Sequence, residues 1–157
     1  MNEFDASEVD RRSPAQLLEA AWPLILGTAA ATAAWFFNWT FSPARYDGQL
    51  AATISISSIL TGFLGTAQAI MLTVTSGRMS WLQANRDVWG QVLSFFRVAL
   101  LANLWLCIWS LVLSSTEIAR WPAPLQPLLF PLWVGSVVVA ILSFYKALTL
   151  LFLLLRR

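Results

Sequence analysis

The chain contains no histidine, and its one cysteine, Cys107, stands in a long apolar stretch. Without a second cysteine no intrachain disulfide and no thiolate metal cluster can form. Without histidine, the commonest general base and the commonest metal ligand are both missing. Charge is scarce too, with Asp, Glu, Lys and Arg making up 11% of 157 residues. No two carboxylates share an apolar segment, no glycine-rich phosphate loop occurs, and Ser57, Thr61 and Ser110 have no base to activate them. These absences argue against an enzyme and call for no cofactor. Passage across a membrane, sensing and scaffolding remain.

What is abundant is apolar side chain: 58% of residues are hydrophobic, and the mean hydropathy is +0.66. That leaves too little polar surface for a soluble domain of this length. A bilayer core about 30 Å thick takes about 20 apolar residues per helix, so the chain has room for about four crossings in one all-α domain.

Residues 1–16 form an acidic tail, with Glu3, Asp5, Glu8 and Asp10 ahead of Arg11 and Arg12. The acidic start, and a first apolar run longer than a signal peptide's core, predict that the first crossing is retained. Ser13-Pro14-Ala15-Gln16 has the form of a capping box with proline at the first helical position, so a helix starts there.

The transmembrane domain occupies residues 17–157, with crossings at about 17–41, 50–75, 92–115 and 128–155 by length and hydropathy. Trp35, Phe36, Phe37, Trp39 and Phe41 make an interfacial aromatic belt at the end of the first. Ser42–Gly48 reads as a turn, and Arg78–Gly90 as an interfacial helix or tight loop. Prolines 122, 124, 127 and 131 predict irregular backbone before the fourth crossing.

Orientation follows from the basic residues. Arg11, Arg12, Arg78, Arg86, Arg97, Lys146, Arg156 and Arg157 fall on one side and only Arg45 and Arg120 on the other. Lys and Arg collect on the cytoplasmic side, so both termini and the middle loop are expected there.

In the second crossing Thr53, Ser57, Thr61, Gln68 and Thr75 recur at helical spacings of 4, 4, 7 and 7, which puts them on one face. A polar stripe in a membrane helix either lines water or bonds to helix backbone, because lipid offers no hydrogen-bond partners. Ser58, Gly62 and Thr66, with Gly65 and Ala69, form small-xxx-small spacings that suit close helix approach. Asn103 lies near the middle of the third crossing and could pair with Gln68 or form a polar constriction. The pore-lining candidates are therefore Thr53, Ser57, Thr61, Gln68, Thr75 and Asn103, with packing as the competing role. On the cytoplasmic side Arg78, Trp81, Arg86, Trp89 and Arg97 mix guanidinium groups with indoles. That set suits either an anionic nucleotide or strand, or anchorage at the membrane interface. Four packed helices fill their own core, so a conducting form must be a homo-oligomer.

The strings SISSILTGFLGTAQAIMLTV and VLSFFRVALLANLW, joined by the basic aromatic loop, resemble small four-helix membrane proteins of bacterial antiphage operons. The likeness covers roughly residues 50–110. Likeness to the membrane effector of Hailong systems implies a homotetrameric, channel-like protein of the bacterial inner membrane. A short single-stranded DNA oligomer, made by a soluble nucleotidyltransferase partner, would hold it inactive, and loss of that oligomer would depolarise the cell. Likeness to the membrane subunit of Kiwa systems implies instead a sensor that recruits a cytosolic DNA-binding partner. Neither likeness carries a residue-specific motif.

The charge asymmetry makes the topology testable. Reporter fusions after Arg12, Asn85 and Arg157 should report cytoplasm, and fusions after Asp47 and Arg120 the opposite side; an extracytoplasmic signal at Asn85 would exclude four crossings.

Overall fold

In the computed structural model the described residues are 14–40, 46–73, 86–116, 122 and 125–155, with side chains described outside 14–20, 86–88 and 154–155. They form four helices: α1 (Pro14–Phe36), α2 (Tyr46–Thr73), α3 (Arg86–Ser115) and α4 (Gln126–Leu155). α2, α3 and α4 are each long and apolar enough to cross a membrane, whereas the apolar stretch described for α1 is Ala21–Phe36. Their large apolar side chains point outward, among them Leu24, Ile59, Trp105, Ile141 and Phe152. The interior mixes small residues, Ala34, Ala67, Ala99, Ala140, Ala147, Ser57, Ser110 and Ser143, with larger ones such as Leu50, Leu64, Met71, Phe96 and Leu113. The small residues let backbones gain contact by approaching closely, while acyl chains can cover the bulky groups outside.

α1 starts at Pro14, as the capping pattern predicts, but ends at Phe36, ahead of the expected Phe41. Asn38 adopts a left-handed φ of 51°, with its N–H donated to Trp35 O and the Trp39 N–H donated to Ala34 O. This is a Schellman cap with asparagine in the position glycine usually takes, and it satisfies carbonyls that would otherwise be orphaned at the helix end. The aromatic belt forms around it: Phe37 stacks on Trp39 at 6.1 Å and meets Phe36 edge to face at 5.8 Å.

α2 begins at Tyr46, inside the stretch expected to be a turn, with Asp47 in its first turn, where the helix dipole favours a carboxylate. α3 begins at Arg86, so the last residues of the expected interfacial segment continue into the third helix. α4 includes Pro127 and Pro131, contrary to the irregularity expected there. Pro127 sits in the first turn, where N–H groups lack intrahelical partners anyway, and Pro131 forfeits only the bond to Pro127. The approach is a turn in which the Leu125 N–H donates to Pro122 O and the Leu128 N–H to Leu125 O.

Packing follows a seven-residue repeat. On α3, Val92, Phe96, Ala99, Asn103, Leu106, Ser110 and Leu113 are all buried, in alternating steps of four and three. On α2, Leu50, Ser57, Leu64 and Met71 are buried at steps of seven. That period is the signature of left-handed knobs-into-holes packing. At the end near Tyr46, Leu50, Leu113 and Leu129 cluster beneath Tyr46, Trp109 and Trp133. At the other end Leu64, Ala67 and Met71 meet Val92, Phe96, Ala99 and Ala147. Phe63 also touches Phe144 edge to face at 5.9 Å. α2, α3 and α4 thus run alternately up and down around a filled core, and α1 packs principally on α4.

The α1–α4 contact depends on two glycines. A Cβ on Gly27 would lie 2.3 Å from Val139 Cγ2 and 3.0 Å from Gly135 O, and one on Gly135 would lie 2.9 Å from Gly27 O and 3.0 Å from Ala31 Cβ. Gly27 beside Val139 and Ala31 beside Gly135 make the two helices antiparallel. By contrast, among the described residues nothing beyond the helix's own backbone lies within 4 Å of a Cβ placed on Gly62 or Gly65. Close approach at glycine therefore occurs between α1 and α4, whereas of the small-residue positions of α2 Ser58 meets Cys107 of α3 and Gly62, Thr66 and Ala69 are exposed.

Gly135→Leu should accordingly destabilise the detergent-solubilised subunit by about 1–3 kcal/mol, because the new side chain meets backbone that cannot yield. Gly62→Leu should leave the isolated subunit's stability within about 0.5 kcal/mol, as expected for an open position. Thermal unfolding of both variants checks the contrast.

Candidate functional site

The polar stripe of α2 faces the subunit interior. Ser57 is 1% exposed, and Thr53, Thr61 and Gln68 are half-buried. The hydroxyls form a ladder along the helix: Thr53 donates to Gln49 O at 2.9 Å, Ser57 to Thr53 O at 2.7 Å and Thr61 to Ser57 O at 2.7 Å. Each hydroxyl is satisfied by the carbonyl one turn back, which lets a polar side chain sit in a dry interface at little cost. Thr75 lies outside the described residues.

Asn103 is fully buried near the middle of α3. Its Nδ2 donates to Ala99 O at 2.9 Å and to Ala140 O, across on α4, at 3.4 Å. Among the described residues, its Oδ1 is the buried side-chain polar atom without a hydrogen-bond partner. The amide pair with Gln68 is not formed, and the antiparallel register explains why. Ser58 Oγ lies 3.5 Å from Cys107 Sγ, so Asn103, one turn before Cys107, is level with the neighbourhood of Thr61. Gln68 stands two turns further along α2, about 10 Å away at 1.5 Å per residue.

A second α3–α4 bond lies nearer the Tyr46 end, where Trp133 Nε1 donates to Ser110 Oγ at 3.1 Å. Tyr46 on α2 donates its hydroxyl to Leu113 O on α3. Sequence reasoning treated Ser110 as a lone hydroxyl and missed both bonds. The available signal was an indole and a phenol in segments where lipid supplies no acceptor.

The opposite face of α2 carries what sequence reasoning did not separate from the stripe. Ser55, Gly62, Thr66, Ala69 and Thr73 are all exposed and fall on one side of the helix, opposite Leu50, Ser57, Leu64 and Met71. Ser55 donates to Ala51 O, Thr66 to Phe63 O and Thr73 to Ala69 O. The flanks of this face are bulky, with Ile56 57% exposed and Ile70 57% exposed. A narrow track of small and hydroxyl-bearing residues is thus set between large apolar ones.

The Arg–Trp set is placed only in part. Arg78 and Trp81 lie outside the described residues, and Arg86 opens α3 with its side chain undescribed. Trp89 packs against the apolar cluster around Phe96, whereas Arg97 is exposed. The two are eight residues apart on α3, about 12 Å along the axis. Trp89 therefore acts as an anchor of the core at that end. Nearby, Lys146 Nζ lies over the Phe95 ring at 4.0 Å, a cation–π contact that lets a charged side chain near the end of α4 rest on an aromatic face. Among the described residues no group of three or more His, Cys, Asp or Glu is arranged to hold a metal ion.

No protein-family model, no curated protein and no solved structure matches the chain.

The Trp133–Ser110 bond should couple α3 to α4 measurably. In a double-mutant cycle, Ser110→Ala and Trp133→Phe should show a coupling of about 0.5–1.5 kcal/mol in unfolding free energy, the range for interhelical bonds in membrane proteins. Strict additivity would show that the bond contributes nothing.

Proposed function

We propose that this chain is a non-enzymatic membrane subunit that crosses the bilayer four times, associates with copies of itself, and forms a gated pore lined by α2. The carrying observation is the outward face of α2: Ser55, Gly62, Thr66, Ala69 and Thr73 are exposed on a membrane-length helix, and among the described residues nothing outside the local turn of α2 lies within 4 Å of a Cβ placed on Gly62. Lipid-facing surface elsewhere is large and apolar, as at Ile56 and Trp105. A track of small residues buries little against acyl chains, but it suits water or another helix. α1 supports the fourth crossing, since its 23 residues lie antiparallel against α4. Both termini on the cytoplasmic side follow from the basic asymmetry.

The pore lining in this reading is the exposed face of α2 in place of Thr53, Ser57, Thr61 and Asn103, whose positions are accounted for by packing inside the subunit. One observation favours a second reading, a non-conducting scaffold: Ser55, Thr66 and Thr73 turn their hydroxyls to their own helix, which also suits a dry contact with another helix. The antiphage setting, the inhibitory oligonucleotide and the tetrameric state rest on the resemblance alone. Of the residues that would serve such a ligand, Arg97 is the one with an exposed guanidinium among those described.

Thiol accessibility separates the two readings. In a Cys107→Ala background, Ser55→Cys and Thr66→Cys should react with a hydrophilic thiosulfonate reagent and Ile56→Cys should not; expression of the unmodified chain should depolarise cells. A scaffold gives neither labelling nor depolarisation.

A further inference from the structure

We propose that the pore passes anions, and that Arg97 of α3, standing beside the outer track of α2, selects them. The proposal rests on the pore reading and names the ion that the pore carries.

Level and direction together put Arg97 on the pore surface. α2 and α3 run antiparallel, with Ser58 against Cys107. Arg97 comes ten residues before Cys107 and Gln68 ten residues after Ser58, so Arg97 stands level with Gln68 and its neighbour Ala69. Direction follows from the turn of about 100° per residue. On α2, Ser58 lies about 120° round from buried Leu64, and Ala69 and Gly62 lie about 20–40° further the same way. On α3, Cys107 lies about 40° round from buried Asn103, and Arg97 about 80° further the same way. Ser58 and Cys107 mark the contact between the helices, and passing that contact leads from the core to the outside on both. Arg97 and the small-residue track of α2 therefore open on one surface.

That surface has room and an unbalanced charge. Arg97, Gly62, Thr66 and Ala69 are all exposed, and among the described residues nothing beyond the helix's own backbone lies within 4 Å of a Cβ placed on Gly65. Arginine keeps its proton at any physiological pH. Among the described side chains the one carboxylate is Asp47, about 30 Å along α2 from Gln68. Lys146 belongs to the other flank of α3, over Phe95, which is turned about 200° from Arg97. Arg97 stands within the apolar span Trp89–Ser115, where a lone cation is disfavoured against lipid and accommodated against water. Subunits arranged around an axis repeat it as a ring, and a ring of fixed cations favours anions over cations. Anions leaving along an inside-negative potential depolarise the cell, as the pore reading expects.

Reversal potentials read the selecting charge directly. Purified protein in planar bilayers under a potassium chloride gradient should reverse near the chloride potential. Arg97→Lys should keep that preference, and Arg97→Gln should lower the chloride-to-potassium permeability ratio about fivefold or more. Arg97→Cys in a Cys107→Ala background lets the charge be changed after assembly, within one folded protein. A positively charged thiosulfonate should restore the chloride preference, and a negatively charged one should reverse it. A wild-type pore that prefers potassium, an unchanged ratio in Arg97→Gln, or a thiol at that position indifferent to both reagents would each overturn the proposal while leaving the pore intact. The last two results would make Arg97 a partner of lipid phosphate. Absence of current from the unmodified chain would instead overturn the pore reading, and the proposal with it.

Discussion

Lipid offers no hydrogen-bond partners, and that constraint accounts for most of the side-chain geometry in this protein. Ser55, Ser57, Ser58, Thr61 and Thr66 each donate to a carbonyl three or four residues back. The end of α1 closes its carbonyls with a left-handed asparagine. The indole of Trp133 and the phenol of Tyr46 reach across to acceptors on α3. Once the polar groups are satisfied locally, association between helices depends on shape, and the small residues move inward to allow it.

Asn103 is the place where the constraint is not fully met. Its Nδ2 donates to two carbonyls, one of them on α4, so it helps set the α3–α4 register while Oδ1 is left open. A leucine there would satisfy the heptad and leave nothing unpaired.

The helices divide by how they are held. The α1–α4 contact is set by backbone proximity at Gly27 and Gly135, and α3–α4 by hydrogen bonds and the heptad. α2 is held on α3 by the apolar clusters around Leu50 and Leu64, by the bond from Tyr46 to Leu113 O and by the contact between Ser58 and Cys107. The face that α2 turns outward is also the one that lipid suits least.

Length, hydropathy and charge in the sequence determined that the chain is all-α, that it has four helical segments, and where α1 begins, because a bilayer selects for apolar runs and proline for helix starts. The spacing of Thr53, Ser57, Thr61 and Gln68 correctly marked one face of α2. Periodicity defines faces only relative to each other. Whether that face or the one bearing Ser55, Gly62 and Thr66 turned inward was decided by tertiary packing, where Leu50, Leu64 and Met71 bury with Ser57 against α3. In the same way the GxxxG-like spacing of α2 named residues capable of close approach, but the close approach fell to Gly27 and Gly135. Each stands alone in its own segment and becomes a contact only when α1 and α4 are laid antiparallel. The unpaired oxygen of Asn103 belongs to the same class: an amide in an apolar run is visible in sequence, while which of its atoms finds a partner depends on the carbonyls that three-dimensional packing brings to it.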